Sequence, residues 1–482
     1  MADVPGLLGD WTAGRGPLHQ KLTEALRAAI LGGDLAPGAK LPPERVLAAQ
    51  LAVSRSTVVA ALDRLRSESL LVSRQGSGTR VSPDVRRPVG DGTVPGGKAH
   101  AVFRRLVEGP GDTISLACAI PPCLPAVVQA AAAFTVDELA GPTARTGYHP
   151  LGLPELRQEL AELHTRDGVP TTAEQVLVTT GAQQAINLAA TLFVRPGDTV
   201  IVESPGFPGV LDVFRAAGAR LVTVEVDDQG ARVDQIDRLA RRSPVAAVFV
   251  MPSFHNPVGV AMSEPRRRQL AALSSELALP VIEDNAMEHA RLTTTPPPPV
   301  GSMGDGPVVT LGSLSKVLWG GLRLGWVRAS EELVNRLVQV KVRHDLGTGV
   351  MGQLVAARLV PRFDALRAER QAALLDSLEA LESLLRRDLP GWSWERPQGG
   401  PSLWVRIPWG DTDTFGQITL RHGVEIVPGS TMSPDGAHRD HLRIPFVFDR
   451  PQTEALVERL AAAWRAYAPS DRTDQAHLSV VV

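Results

Sequence analysis

The first eighty residues alternate short amphipathic helical patterns with turn-forming residues. "PLHQKLTEALRAAILGGDL" opens with Pro17 and ends at Gly32-Gly33, and its apolar positions share one helical face: Leu18, Leu22, Leu26 and Ile30. "LPPERVLAAQL" predicts a second, shorter helix, because the fixed φ of Pro42-Pro43 suits a first helical turn. The pattern therefore predicts two helices before residue 52.

A third helix and a hairpin follow directly. Ser54 is positioned to cap "SRSTVVAALDRLRSE", and the buried stripe of that helix is predicted to be Val58, Ala61, Leu62 and Leu65. "LLVSRQGSGTRV" predicts two short strands around a Gly76-Ser77-Gly78 turn. Helix, helix, turn, helix and hairpin in this order predict an α+β winged helix-turn-helix.

Beyond residue 113 the pattern changes to short apolar strands separated by amphipathic helices. Strands are predicted in "QVLVTTG", "TVIVESP", "VAAVFVMPS", "LPVIEDN", "VVTLGSLSK" and "GWVRAS". This alternation is typical of a largely parallel sheet in an α/β domain. A long helix beyond about residue 360 leads into "GGPSLWVRIP", "GVEIVPGS" and "HLRIPFVF", which predict a smaller α+β subdomain.

These patterns divide the chain. Residues 83–112 are rich in Pro, Gly and charge and have no apolar period, which is typical of a linker. The chain is also too long, at 482 residues, for one ordinary core. We predict an N-terminal tail (1–14), a winged-helix DNA-binding domain (15–82), a linker (83–112), an α/β domain with its smaller subdomain (113–468) and a flexible C-terminal tail (469–482).

Composition and charge narrow the class of protein. The chain has 44% hydrophobic residues and a formal net charge of -2, and it contains neither a membrane-length apolar run nor a signal-peptide pattern. Its two cysteines, in "CAIPPC", have neither metal nor redox spacing, so we predict reduced thiols, a cytoplasmic location and no metal site. Residues 1–81 carry ten Lys or Arg against seven Asp or Glu, which suits a domain that binds a polyanion.

The winged-helix prediction assigns the DNA contacts. The third helix would enter the major groove N-terminus first and present Arg55, Ser56 and Thr57 to base edges and phosphates. Arg45 would lie against the DNA backbone. The wing, which would reach a flanking groove, is Gln75, Gly76, Ser77, Gly78 and Thr79.

Polar groups follow the predicted parallel strands, where an open α/β sheet places its chemistry. Gly181, Ala182 and Gln183 open a helix whose free N–H groups would hold a phosphate. The other loops supply an aromatic ring, an amide, a carboxylate, and a turn with two serines, a lysine and an arginine: Phe207, Asn256, Asp284, Ser313, Ser315, Lys316 and Arg323.

Together these groups suit pyridoxal 5'-phosphate (PLP). Lys316 would form a Schiff base with the aldehyde, and Asp284 would keep the ring nitrogen protonated. Ser313, Ser315 and Arg323 would complement the phosphate. Each residue alone has an ordinary explanation, such as a surface lysine, a helix cap or a core phenylalanine. The ordered set predicts a PLP site.

Two families share these motifs. "GDLAPGAKLPPER", "LAVSRSTVVAALDRL" and "QGSGTRV" resemble the DNA-binding domain of GntR-type bacterial regulators, except that Ser69 stands where a glycine is usual. "YHPLGLPELR", "TTGAQQAI", "ESPGFPG", "HNPVG", "VIEDN", "SLSKVLWGGLRLGW", "PQGG" and "LRIPF" resemble the fold-type I (class I/II) aminotransferases.

The second resemblance implies further roles. Asn256 would bond the ring hydroxyl of PLP, Phe207 would stack on the ring, and Tyr148 would reach the phosphate in the neighbouring subunit. Arg443 would bind the α-carboxylate of an amino-acid ligand, although a structural ion pair is the alternative. The family's tyrosine, two or three positions past the aspartate, is missing, because Asp284 is followed by Asn285, Ala286 and Met287. Its loss would weaken proton handling.

The whole layout resembles the MocR family of bacterial transcription regulators. That resemblance implies a homodimer that binds palindromic or repeated half-sites of double-stranded DNA and senses a small amino compound, or PLP itself. Two alternatives stay open: an active aminotransferase with an accessory DNA-binding domain, and a repressor whose second domain binds no PLP. Any surviving chemistry is expected to be half-transamination without physiological turnover.

Overall fold

The computed structural model describes residues 4–8, 11–12, 16–32, 34–74, 78–83, 113–143 and 146–467. The N-terminal domain contains helices α1 (Val4–Leu8), α2 (Leu18–Gly32), α3 (Glu44–Gln50) and α4 (Arg55–Ser67), followed by strands β1 (Leu71–Arg74) and β2 (Gly78–Val81). β1 and β2 pair antiparallel. The predicted winged helix-turn-helix is therefore confirmed.

The apolar faces of these helices form one core. The predicted stripe of α4 is fully buried: Val58, Ala61, Leu62 and Leu65. Helix α1 lies in the segment that we predicted to be a tail, and Val4, Leu8 and Trp11 pack into the same core. The burial of these three side chains explains the helix better than the local sequence does, since "VPGLL" has poor helix propensity. The linker from residue 84 and the tail from 469 lie outside the described residues.

The α/β domain contains eight further helices: α5 (Pro125–Ala132), α6 (Val136–Thr143), α7 (Pro154–Arg166), α8 (Ala182–Phe193), α9 (Pro208–Ala216), α10 (Val233–Arg242), α11 (Glu264–Leu277) and α12 (Glu331–Val342). Its strands are β3 (Ile114–Ser115), β4 (Val176–Thr179), β5 (Thr199–Ser204), β6 (Arg220–Asp227), β7 (Gly230–Ala231), β8 (Ala247–Val250), β9 (Val281–Asp284), β10 (Val308–Ser313) and β11 (Gly325–Arg328).

Eight of these strands form one sheet in the order β4-β11-β10-β9-β8-β5-β6-β7. Neighbouring strands from β10 to β6 run parallel, whereas β11 runs antiparallel to both β4 and β10. Alternate residues face two cores: Val200 and Val202 pack among residues of α8, α9 and α12, whereas Ile201 packs among residues of α10 and α11. The predicted α/β architecture is confirmed, with one antiparallel strand inside the sheet.

The chain continues into the subdomain through α13 (Val350–Leu359) and the long α14 (Phe363–Asp388). The subdomain contains β12 (Ser393–Trp394), β13 (Ser402–Arg406), α15 (Thr412–Arg421), β14 (Val424–Glu425), β15 (Val427–Pro428), β16 (His441–Pro445) and α16 (Arg450–Tyr467). Four of its strands form an antiparallel sheet in the order β12-β13-β16-β15.

One strand prediction needs correction. "GVEIVPGS", which we predicted to be a single strand, is split into β14 and β15, and these belong to different sheets. β14 pairs in parallel with β3, at the beginning of the α/β domain. The sequence pattern did not show this split, because a strand of two residues has too few positions to alternate between apolar and polar side chains. The β3–β14 pair ties the segment before the site to the subdomain.

Candidate functional site

The N-terminus of α4 is built as an exposed helix end. The Ser54 side chain accepts a hydrogen bond from the Thr57 amide at 3.2 Å, which confirms the predicted cap. Arg55 is 71% exposed, and its Nη2 lies 3.3 Å from Glu44 Oε2. Ser56 is also exposed and lies 2.8 Å, Oγ to Oγ, from Ser54. The side chains at this end of α4 are therefore open to solvent.

The rest of the predicted DNA-contacting set flanks α4. Arg45 is exposed on α3. Gly78 begins β2 with a φ of +84°, a conformation that favours glycine. Thr79 Oγ1 lies 3.0 Å from Ser73 Oγ and accepts from Arg66 Nη2 at 3.2 Å. The tip of the wing, residues 75–77, lies outside the described residues, so contacts by Gln75, Gly76 and Ser77 stay predictions.

The central lysine and carboxylate lie at adjacent strand ends. Asp284 ends β9, and Lys316 follows β10, which runs parallel beside it. Burial raises the pKa of Asp284 to about 6, an effect that the amide of Ala286 and the charge of Lys316 reduce. Burial likewise lowers the pKa of Lys316 to about 8. A lysine with such a pKa is partly a neutral amine, and hence a nucleophile, near neutral pH.

A backbone segment before α5 binds both the lysine and the predicted carboxylate-binding arginine. Lys316 Nζ donates to the carbonyl of Ala119 at 3.1 Å. Arg443 Nη2 donates to the carbonyls of Ala117 at 2.6 Å and Leu116 at 3.2 Å. We call residues 116–119 the carbonyl segment. It had no periodic pattern, and sequence reasoning did not assign it to the site.

Arg443 is buried beside Asn256. Its Nη1 donates to Asn256 Oδ1 at 3.4 Å, and its side chain is only 4% exposed. Burial lowers the pKa of Arg443 to about 10. Among the described residues Arg443 Nε has no hydrogen-bond partner. The predicted alternative, a structural ion pair, does not account for Arg443, since the partners that the structure shows are backbone carbonyls and an amide oxygen.

The predicted phosphate-binding residues form a cradle around the N-terminus of α8. Gly181 is its N-cap with a φ of +85°, and a Cβ there would lie 3.2 Å from Arg323 Nη2. Arg323 donates from Nη2 to the carbonyl of Thr180 at 3.2 Å. A Cβ on Gly325 would lie 2.8 Å from the amide nitrogen of Ala182. Glycines thus let two backbone segments and a guanidinium approach the helix end.

The serines and the aromatic residue extend this cradle. Ser313 Oγ and Ser315 Oγ lie 2.8 Å apart. Gln183 Nε2 donates to the carbonyl of Gly209 at 3.3 Å, and the Phe207 ring lies so close to Gly209 that a Cβ there would be 2.6 Å from it. The structure therefore groups Gln183 with Phe207.

Tyr148 lies apart from these contacts within the chain. Its side chain is 64% exposed. This exposure agrees with the predicted contact to a second subunit, which a single chain does not test.

The position of the missing tyrosine is occupied by a short turn. The Ala286 amide donates to Asp284 Oδ1 at 2.9 Å, and Met287 follows with a partly buried side chain. Asp284 therefore has a backbone partner on this side and gains no phenol from residues 285–288.

A second buried pair underlies the site and was not predicted. Glu203 Oε2 accepts from the Met251 amide at 2.8 Å and lies 3.5 Å from His255 Nε2. The charge of Glu203 contributes to the raised pKa of Asp284. His255 directly precedes Asn256 in the sequence, and this position was the one signal that could have placed it near the site. A lone histidine next to a strand is usually structural, so it was not assigned a role.

The described ranges contain neither a metal-binding cluster nor a single helix with the length and composition of a membrane span. No group of three or more His, Cys, Asp or Glu there could hold a metal ion. No single helix of those ranges is long and apolar enough to cross a membrane. Helices Glu44–Gln50 and Arg55–Ser67 have the length and composition of a membrane span only when taken together, and the chain bends by 117° between them.

Two family models match the chain. The aminotransferase class I and II model matches residues 117–460. The model of the gntR family of bacterial regulatory proteins matches residues 18–81. The two matches coincide with the two parts of the fold described above.

Several known proteins are similar over most of the chain. The probable rhizopine catabolism regulatory protein MocR of Rhizobium meliloti is 31% identical and covers 78% of this chain and 78% of its own. The HTH-type transcriptional regulator TauR of Rhodobacter capsulatus is 27% identical and covers 94% and 97%. The crystal structure of LysN, an alpha-aminoadipate aminotransferase of Thermus thermophilus complexed with N-(5'-phosphopyridoxyl)-L-leucine, superimposes with a TM-score of 0.67 at 28% identity, covering 76% of this chain and 94% of its own.

Proposed function

From the premise that the chain belongs to the aminotransferase class I and II family and, with its GntR-type domain, to the MocR-type regulators, we propose that it is a PLP-dependent transcriptional regulator. One observation carries the proposal. A helix end suited to the major groove belongs to the same chain as a half-buried lysine at the strand end next to a buried carboxylate.

The residues of the site fit PLP. The glycine-built end of α8, with Arg323 over it, suits a phosphate dianion because its N–H groups and the guanidinium are both donors. Ser313 and Ser315 would add hydroxyl donors. Asp284 suits the ring nitrogen, and Asn256 would face the ring hydroxyl. Phe207 would supply the stacking surface.

When bound, PLP supplies an aldehyde that condenses with amines. The residues of the chain prepare for this reaction: the lowered pKa of Lys316 provides a neutral amine, and Asp284 is ionised above about pH 6. Arg443 would bind the carboxylate of an amino-acid effector, because its buried guanidinium keeps an Nε that no described residue occupies. An amino compound is therefore the proposed effector class.

The DNA-binding part would act as a dimer. Arg55, Ser56 and Thr57 would contact one half-site, with Arg45 on the DNA backbone and Thr79, in the wing, at a flanking groove. A second subunit would contact the matching half-site, and Tyr148 would reach its partner's cofactor. The regulator would work in the cytoplasm.

Two measurements test the proposal. The absorption spectrum of the purified full-length protein mixed with PLP should show the band of a lysine-bound cofactor. DNA selected from a random library by the same protein should contain a repeated or palindromic motif. Absence of the band would remove the cofactor part of the proposal and leave a repressor that binds no PLP. Absence of any enriched motif would remove the regulator part.

The alternative function is an active aminotransferase, which the relation to LysN favours. The absence of tyrosine after Asp284 argues against it, because that phenol would handle the proton of the ring hydroxyl. Turnover assays with an amino donor and 2-oxoglutarate should give rates far below those of dedicated enzymes. Rates equal to theirs would favour the alternative.

A further inference from the structure

The winged helix is attached to the subdomain at the turn of its helix-turn-helix. Arg421, the last residue of α15, donates from Nη2 to the carbonyls of Leu51 at 2.8 Å and Ala52 at 2.9 Å. These carbonyls end α3, and Ala52 has a left-handed φ of +51°. A guanidinium at a helix C-terminus is favourable, because it compensates the partial negative charge of the last carbonyls. Arg421 therefore braces the turn that sets α3 against α4.

A second contact joins α15 to the winged-helix domain. Trp11 Nε1 donates to Gln417 Oε1 at 3.0 Å, and both side chains are buried. Gln417 lies one helical turn before Arg421, so one face of α15 carries both contacts. Since Trp11 belongs to the core of the winged helix, α15 is attached to that domain at two points.

The same end of α15 leads back to the proposed ligand site. After Arg421 the chain enters β14, where the carbonyl of Gly423 accepts from the Ile114 amide at 2.9 Å and that of Glu425 from the Leu116 amide at 2.8 Å. Glu425 Oε2 also accepts from Ser115 Oγ at 2.5 Å. The residues that follow β3 are the carbonyl segment, which binds Arg443 and Lys316.

We propose that the carbonyl segment, β3, β14 and α15 form one continuous connection that transmits ligand occupancy from Lys316 to the helix-turn-helix, with Arg421 as its positioning residue. The inference rests on the proposed PLP site. In the ligand-free protein Lys316 and Arg443 hold the segment through its carbonyls. Condensation of Lys316 Nζ with the aldehyde of PLP, which forms a C=N bond and releases water, would remove the ammonium group that donates to Ala119. A ligand carboxylate at Arg443 would compete with Ala117, so both events would release the carbonyl segment.

The test compares DNA affinity with and without PLP. The dissociation constant of the full-length protein for its selected DNA is measured by fluorescence anisotropy, without PLP and with saturating PLP. For the wild type we expect the two constants to differ about 5- to 150-fold, the usual range of allosteric coupling. For Arg421→Ala we expect them to agree within about twofold, because the brace on the turn is lost.

Controls separate this inference from the proposed function. Arg387→Ala, which removes an exposed arginine at the end of α14, should keep the wild-type ratio. Arg421→Ala should keep the PLP absorption band, because Arg421 lies outside the ligand site, and it should lower the melting temperature only slightly, because Arg421 is exposed. An Arg421→Ala protein with the full wild-type ratio would overturn the connection. So would a wild type that shows the PLP band but identical DNA affinities. A missing band would instead refute the proposed cofactor.

Discussion

The DNA-binding end of the molecule and the proposed cofactor site are built in opposite ways. The helix end around Arg55 comes from one continuous stretch and is exposed to solvent. The site around Lys316 is assembled from strand ends that are far apart in the chain, and its Asn256, Asp284 and Arg443 side chains are buried. A short sequence can therefore specify the first, whereas the second exists only when the whole sheet has formed.

The electrostatics of the two regions differ for the same reason. The exposed Arg55–Glu44 pair contributes little, because water screens it, and Arg55 can exchange this partner for DNA at small cost. In the cofactor site burial shifts the pKa values of Asp284, Lys316 and Arg443. In the first region a charged side chain can change partners at small cost in free energy. In the second region burial of charged groups lowers the stability of the ligand-free protein. Variants in the two regions should therefore differ in kind as well as in size.

The largest expected effect is at the lysine. Lys316→Ala should abolish the absorption band that PLP produces, because no amine remains beside Asp284 to hold the aldehyde. It should leave the winged helix folded, since that domain forms its own core. Lys40→Ala, which removes an exposed lysine, should keep the band. A band that survives in Lys316→Ala would place the covalent anchor elsewhere.

The next effect is at the helix end. Arg55→Ala should weaken specific DNA binding by ~1–3 kcal/mol, because a base-reading arginine is lost. The PLP band should not change. Arg64→Ala removes an equal charge from the exposed, C-terminal half of α4 and should cost less. Equal losses for the two variants in a binding titration would show that Arg55 contributes only charge.

A third test measures how much the desolvation of Asp284 destabilises the folded protein. Asp284→Asn should stabilise the ligand-free protein above pH 6 by up to roughly 3 kcal/mol, because the pKa of Asp284 is raised from 3.8 to about 6. The sign follows from the raised pKa: the unfolded chain gives up this proton first, so wild-type stability falls as pH rises from about 4 to about 6. A neutral amide at this position avoids that loss.

Thermal unfolding of the two proteins between pH 4 and 8 measures the difference. The same variant should bind PLP more weakly, since the ring nitrogen loses its carboxylate. Asp376→Asn, at an exposed position of α14, should change neither property. A pH-independent gap between wild type and Asp284→Asn would contradict the assigned desolvation.

The smallest expected effect lies in the DNA-binding domain. Ser69 has a left-handed φ of +59° before β1, where the GntR pattern has glycine. Ser69→Gly should stabilise the domain by about 0.5–1 kcal/mol, because glycine adopts this conformation without strain. Chemical denaturation measures the change, and Ser67→Gly, within α4, should instead destabilise. A loss of stability in Ser69→Gly would show that Ser69 is not strained.

What the sequence could predict follows from the range of the forces involved. The Ser54 cap and the stripe of α4 depend on neighbours within a few residues, and both predictions are confirmed. Asp284 and Lys316 could be placed together because parallel strands deliver their carboxyl ends to one edge of a sheet. In each case a repeating local rule fixes the geometry.

The features that could not be predicted depend on distant partners. The carbonyl segment meets Lys316 through backbone atoms, which any residue type supplies, so its sequence carries no signal. The β3–β14 pair has two residues in each strand, too few for a pattern. Arg421 binds carbonyls some 370 positions away in the chain. An arginine at the end of a helix is common, so its sequence position alone does not indicate this contact. Only the folded chain brings these groups together.

The central claim is that one chain joins a PLP site to a DNA-binding domain for regulation. The most direct measurement is a titration of the full-length wild-type protein with PLP, followed by absorbance, in the presence and absence of its selected DNA. Because coupling is reciprocal, we predict that DNA shifts the PLP affinity by the same factor by which PLP shifts the DNA affinity. Superimposable PLP titrations with and without bound DNA would contradict the claim.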